Sequence, residues 1–479
     1  MVFDIFKIPH VKNQRFLSTF GNFSISAESS ICATFTTVYF LNDYFLIFNV
    51  SEYSTFYLKY DTFLKPNSIL NAMAELIFKD LNFEKDKEKI KINFLRLFYT
   101  HLEESSLKKI APFEVNKNSI TFKDISENTA KRKFDFLLLN AFKNLKNKLN
   151  NKTTIYVHQS SGIPLIGTNY FGLIDRGTNI IEVKPITSCN ISCIFCSVDE
   201  GPFSKRKVDF VVEKDYLVNE FRKIVEFKGS SNIDAHINAQ GEPMLYADMV
   251  ELVRDIMSVK GVKTSSIDTN GTLLSKQLVD ELAEAGLTRI NLSLNALDPE
   301  KAKHLAGYPY NLSKVLEIAR YIPAKMDLII APVWMPGYND EEIPKLAKFA
   351  KEVGAGKKCP PIGIQNLLNY RFGRNPVEAA SMDMFYNKMR ELEQTHNVKL
   401  IFDKSAFNVE ELQELPKPFK KGQIIEAEIV LPGRIGNEKL AAARNRLISV
   451  PNCYKEIGSR ARLRIKRTKH NIFLGELLD

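Results

Sequence analysis

Cysteine is scarce in this chain, with six among 479 residues. So few thiols, spread this widely, do not make a disulfide framework, and the fold must rest on its apolar core. Long apolar runs are missing too. Residues 44–48 (Tyr-Phe-Leu-Ile-Phe) are among the longest, far short of the ~20 residues a membrane span needs. The start of the sequence has no charged-then-apolar secretory pattern. These absences lead to the expectation of a soluble protein of the cytoplasm, with no membrane partner. Negative charge is also in deficit, 56 acidic against 66 basic residues for a formal net charge of +10. That surplus points to an anionic partner without locating it. At about 150 residues per domain the length predicts three domains.

Three textures follow one another. Residues 1–160 are read as an α+β domain with no catalytic constellation. Residues 36–40 and 44–50 are rich in aromatic and β-branched types and read as strands. Residues 69–80, 91–107 and 131–149 show helical periods, and the Lys/Asn-rich stretch 143–152 reads as a boundary. Residues 161–410 alternate strands (179–186, 232–239, 263–269, 289–295, 326–333, 362–368) with helices (214–227, 247–258, 275–285, 311–320, 341–352). That order predicts an α/β fold, a partial (β/α)6 barrel with its ligand at the carboxyl ends of the strands. After the proline-bearing linker 414–418, residues 417–479 read as a small β-rich domain.

One parity of the barrel strands is polar. Asp234, His236, Asn238 and Gln240 alternate with Ile233, Ala235 and Ile237. Ser266, Asp268 and Asn270 share a parity, as do Asn291, Ser293 and Asn295, and again Gln365, Asn369 and Arg371. Successive residues of a strand face opposite ways. With the apolar set under the helices, the polar set faces inward and lines a cavity suited to a charged or zwitterionic ligand.

Cys189, Cys193 and Cys196 lie at spacings of four and three, just after the first barrel strand. Zinc commonly takes four protein ligands, and no fourth Cys or His is near. Three thiolates suit a [4Fe–4S] cluster with one iron left open. The segment, with Phe195 before the last cysteine, resembles the radical S-adenosylmethionine (radical SAM) superfamily, over residues 180–370. Gln240-Gly241-Glu242-Pro243 is similar to the family's GGEP segment, with glutamine in place of the first glycine. Thr269-Asn270-Gly271 resembles its TNG turn, 291–295 the strand whose serine, here Ser293, contacts SAM, and 335–340 its PGxND turn. Gln365 stands on the strand that supports adenine. The resemblance implies one cluster on Cys189, Cys193 and Cys196. It implies SAM held by Phe195, Gln240, Gly241, Glu242, Pro243, Thr269, Asn270, Ser293, Asn295 and Gln365. It also implies cleavage of SAM to a 5′-deoxyadenosyl radical, and an external one-electron donor such as a ferredoxin or flavodoxin. Cys32, Cys359 and Cys453 are too scattered for a second cluster. Arg371 and Arg374 are read as surface arginines or as contacts to an anionic substrate.

The surplus charge is local. Residues 417–479 hold fourteen basic and six acidic side chains, a net +8. As a strand, 460–466 would expose Arg460, Arg462, Arg464 and Lys466 on one face, a footprint for nucleic acid or a solvated edge. The tail resembles the TRAM domain, a small OB-like β-barrel, with residues 433–436 as its turn. The resemblance implies RNA contacts from Arg434 and the basic strand, with Tyr454 and Phe473 as the aromatics available for stacking. The leading reading is a radical SAM enzyme that modifies RNA, tRNA foremost. Two alternatives stay open. In one the same chemistry acts on a protein or small molecule while the tail only docks RNA. In the other the chain is a non-catalytic Fe–S RNA-binding sensor.

Overall fold

The computed structural model describes residues 73–478, together with the backbone of two strands further upstream. Those strands, Phe35–Leu41 and Tyr44–Val50, pair antiparallel, with Leu41 opposite Tyr44. They belong to a separate compact unit, residues 1–57, and coincide with the strands expected at 36–40 and 44–50. Cys32 lies outside the described residues.

Over the described residues, the helical periods expected at 69–80 and 91–107 form strands, apart from the short helix that begins at Glu104. Met73–Ile77 is a strand with Ala74 and Leu76 buried and its odd positions exposed. Lys89–Phe94 and Phe98–Glu103 form a hairpin, followed by one short helix, Glu104–Lys108. Short apolar runs fit both periods, and pairing across the sheet decides between them. The third expectation, 131–149, holds in part: the helix Glu127–Phe142 covers its first residues and ends before the strand Lys146–Asn147. The stretch 143–152 is not a free linker, because Asn147 is fully buried in the strand Lys146–Asn147. Thr153–Val157 then pairs in parallel with Val208–Val212, which follows the cysteine loop. The N-terminal sheet is thereby continued by a strand from beyond the expected boundary.

The second region is the partial barrel. The strands Ile180–Lys184, Ile233–Ile237, Val262–Thr269, Arg289–Leu292 and Asp327–Ile330 run parallel in sequence order, with Gly172–Asp175 antiparallel on the outer edge. The sixth position is held only by a bridge between Ile330 and Ile362 and by the short pair Val333–Trp334 with Gln365–Asn366. Helices Lys214–Lys228, Met249–Met257, Lys276–Glu284, Leu312–Tyr321 and Glu342–Glu352 lie between the strands in sequence. Ile233, Ala235 and Ile237 are fully buried, as the apolar parity requires.

Residues Ile424–Pro432, Lys439–Ala443, Arg446–Val450, Leu474–Leu477 and Arg460–Arg467 close into a five-stranded OB-like barrel. Its core includes Phe419, Ile429, Leu463 and Phe473. It is bonded to the region of the partial barrel through backbone, Leu447 N to the Ile166 carbonyl at 2.8 Å and Phe473 N to the Gly167 carbonyl at 2.9 Å.

Candidate active site

The carboxyl ends of the barrel strands and the loop 189–198 enclose a cavity of about 340 Å³. Cys189, Cys193, Cys196, Phe195, Gln240, Gly241, Glu242, Thr269, Asn270, Ser293, Asn295 and Gln365 all line it. Pro243 does not; it opens a short 3-10 turn capped by Glu242. Among the described residues, no three His, Cys, Asp or Glu groups are gathered to hold a single metal ion. Three thiols line one cavity, and three thiolates are the donor set of a [4Fe–4S] cluster with one iron left open, so the residues present fit that group.

The loop is held largely by main chain. Ser192 N and Ile194 N donate to the carbonyls of Ala306 and Leu305, both at 3.1 Å. Gly307 must be glycine there, since a Cβ would sit 2.2 Å from the Ser192 carbonyl oxygen. Arg374 is partly exposed, and its guanidinium is taken up by the cysteine loop. Its guanidinium donates to the carbonyls of Cys193 (3.0 Å) and Glu200 (2.8 Å) and to Asp199 Oδ1 (2.7 Å), while its own N–H donates to the Cys196 carbonyl at 2.9 Å. Arg206 adds bonds to the carbonyls of Val198 and Phe372. Arginine donors meet backbone oxygens here, a role that charge patterning along the chain does not signal.

Glu242 fastens the second strand end to the third. Its carboxylate accepts from Met244 N (3.0 Å), Thr269 Oγ1 (2.7 Å) and Asn270 N (2.8 Å). Burial pushes its pKa up to about 7, against the pull of these donors. Its backbone N–H donates to the Ser188 carbonyl at 2.8 Å. A Cβ on Gly241 would lie 1.9 Å from that same oxygen. The cysteine loop and the Gly241-Glu242 loop are therefore in direct main-chain contact.

Deeper in the barrel the polar parity forms a network. His236 Nδ1 meets Ser266 Oγ at 2.9 Å and its Nε2 lies 3.2 Å from Asp268, which also accepts from Asn291. Burial disfavours charge on both members, yet the pairing wins, holding the imidazole above and the Asp268 carboxyl below their ordinary values. Asp268 reaches the cavity wall. Cys359 lies away from the cavity; its thiol donates to Asp327 Oδ2 at 3.0 Å, with Arg289 beside it.

The expected RNA contacts divide. Arg434 is corrected: it is 1% exposed and inserts into the catalytic barrel, so no polyanion can reach it. Phe473 is a core residue packed on Phe419, while Tyr454 is exposed. Arg460, Arg462, Arg464 and Lys466 do share one exposed face. That face is compensated, however. Glu428 and Glu426 stand opposite Arg460 and Arg462 on the neighbouring strand, and Glu476 pairs with Arg464 and Lys466 at 3.4 and 3.2 Å. Cross-strand partners cannot be read from one strand's alternation.

Residues 183–350 match the Radical SAM superfamily family model. "Uncharacterized protein MJ0103" of Methanocaldococcus jannaschii is 43% identical over 361 residues, 70% of this chain and 83% of that protein. The GTP 3',8-cyclase of Aquifex aeolicus is 31% identical over 183 residues, 38% of this chain and 55% of the enzyme. Among solved structures, TYW1 with a lysine-pyruvate adduct bound is 19% identical with a TM-score of 0.36, covering 51% of this chain and 82% of that one. The chain thus carries a radical SAM domain over residues 183–350. No described helix is long and apolar enough to cross a membrane.

Proposed function

We propose that this protein cleaves S-adenosylmethionine reductively on a [4Fe–4S] cluster and uses the resulting radical to modify RNA, with tRNA as the expected substrate. The observation that carries the first half is the single cavity shared by the three thiols and nine of the ten residues expected to hold SAM. Such a cluster, when bound, supplies the electron that breaks the sulfonium bond. The chain's own residues place and enclose. Cys189, Cys193 and Cys196 hold the cluster; Gly241 and Glu242 present the loop for the amino group; Ser293, Asn295 and Gln365 line the far wall. A ferredoxin or flavodoxin is the proposed donor.

The RNA half is supported by the net +8 carried on residues 417–479 and by the exposed Arg460, Arg462, Arg464 and Lys466. A second reading, a small-molecule substrate, is favoured by the opposing glutamates on that face and by the His236–Asp268 pair that opens on the cavity. Anaerobic reconstitution followed by assay for 5′-deoxyadenosine tests the chemistry. Mass spectrometry of tRNA nucleosides from cells with and without the gene tests the substrate. A missing modified nucleoside supports RNA; unchanged RNA with intact SAM cleavage moves the assignment to a small molecule.

A further inference from the structure

The family pattern has glycine where this chain has Gln240, and a glycine-to-glutamine change in a loop that touches SAM demands a use for the side chain. The structure supplies one. Gln240 Oε1 accepts from Arg434 Nη1 at 3.3 Å. Arg434 comes from the turn between the first two strands of the C-terminal barrel, nearly two hundred residues away.

The same guanidinium reaches the cysteine loop from the other side. Its Nη1 also bonds Glu200, a residue of the cavity wall whose backbone N–H donates to Cys196 Sγ at 3.3 Å. Its Nη2 donates to Asp209 Oδ1 at 3.0 Å and its Nε to the Val208 carbonyl at 2.8 Å. Asp209 Oδ2 in turn accepts from Asn147 at 2.8 Å, and Asn147 donates to Ser188 Oγ, one residue before Cys189, at 2.8 Å. The arginine is itself clamped. Its N–H donates to Glu438 Oε2 at 3.1 Å, and Glu438 accepts from Tyr170 Oη.

We infer that Arg434 is a positioning residue that sets Gln240 and Glu200, two walls of the cavity, so that the C-terminal barrel helps to shape the SAM site. Packing alone does not explain it. A buried ion pair is often no more stable than an apolar contact of the same size, whereas its geometry fixes where its partners stand. Two of its partners, Gln240 and Glu200, line the cavity, while Asp209 and the Val208 carbonyl anchor the guanidinium outside it. The inference rests on the reading of this cavity as the SAM site.

The test uses the full-length, reconstituted protein. SAM affinity and the electron paramagnetic resonance spectrum of the reduced cluster, with and without SAM, are compared for wild type, R434A, R434K, Q240G and R434A/Q240G. A control, N471A, loosens the C-terminal barrel elsewhere, at its bond to the Leu415 carbonyl. Expected are a loss of SAM affinity of about ten- to a hundredfold in R434A, a smaller SAM-induced spectral change, and partial rescue in R434K. The double variant binds no more weakly than R434A, because Arg434 acts through Gln240. N471A lowers the melting temperature and leaves SAM affinity unchanged. The inference is overturned if R434A binds SAM as wild type does, or if N471A weakens binding as much. Should R434A fail to fold, Q240G and R434K decide: wild-type affinity and spectra in both overturn it. A wild-type protein that does not bind SAM removes the functional reading itself and this inference with it.

Discussion

Burial governs the individual charged groups of this molecule. Lys228 and Asp175 form an ion pair with no exposure of either side chain, 2.8 Å apart. Asp175 also accepts from Gly177 N and Leu415 N, and Lys228 donates to the Gln413 carbonyl. The pair therefore ties the linker to the catalytic barrel. Lys228→Met is expected to cost ~3–5 kcal/mol, since it strands a buried carboxylate. Lys228→Met combined with Asp175→Asn should recover much of that, as read by urea unfolding. Glu242 carries a pH dependence. Burial raises its pKa from 4.5 to about 7. A carboxyl raised on folding stabilises fully below about 4.5 and loses that contribution as pH rises through about 7. The cluster-free wild type should lose stability across that window, and Glu242→Gln should flatten the loss, measured as melting temperature against pH.

At the scale of the element, short loops and single strands do most of the placing. Gly241 and the Ser188 carbonyl leave no room for a methyl group, with a would-be contact of 1.9 Å. Gly241→Ala should force the two loops apart. Expected are a loss of more than about 2 kcal/mol and poor cluster loading, measured as bound iron and sulfide after reconstitution. The basic strand Arg460–Arg467 shows how an element's neighbours change its meaning. Glu426 and Glu428 face it, so their replacement by glutamine should tighten RNA binding and steepen its salt dependence. Unchanged binding in a filter or fluorescence assay would remove this face as the RNA contact. The strands Met73–Ile77 and Lys89–Phe94 carry a similar lesson, because their apolar residues suit a helix until a neighbouring strand pairs with them.

Across the whole molecule, the C-terminal barrel is bonded to the region of the partial barrel by main chain at Leu447 and Phe473 and by the buried Arg434. Removing residues 416–479 therefore does more than delete a basic surface. It uncovers Asp209 and Glu200 and strips them of their cation. The truncated chain should melt at a lower temperature and load less iron, as well as bind RNA less tightly. Charge replacement on the exposed strand is the cleaner probe, and a truncation with full iron content and unchanged melting would contradict the bonding described here.

Local pattern by itself determined the three thiols, the polar parity of the second to fourth barrel strands and the order of the loop motifs; at the sixth, where Gln365, Asn369 and Arg371 were expected inward, only Gln365 of the three lines the cavity. Those signals come from a few consecutive residues, and strand alternation turns them directly into faces. The N-terminal sheet, the compensation of the basic strand and the places of Arg374 and Arg434 were decided only by tertiary structure. Each depends on which distant group supplies the partner. Arg434 and Glu200 are 234 residues apart, and an arginine in a glycine-bearing turn reads the same whether it meets a phosphate or a buried carboxylate. Desolvation separates the two, and it exists only once the barrels have closed on one another.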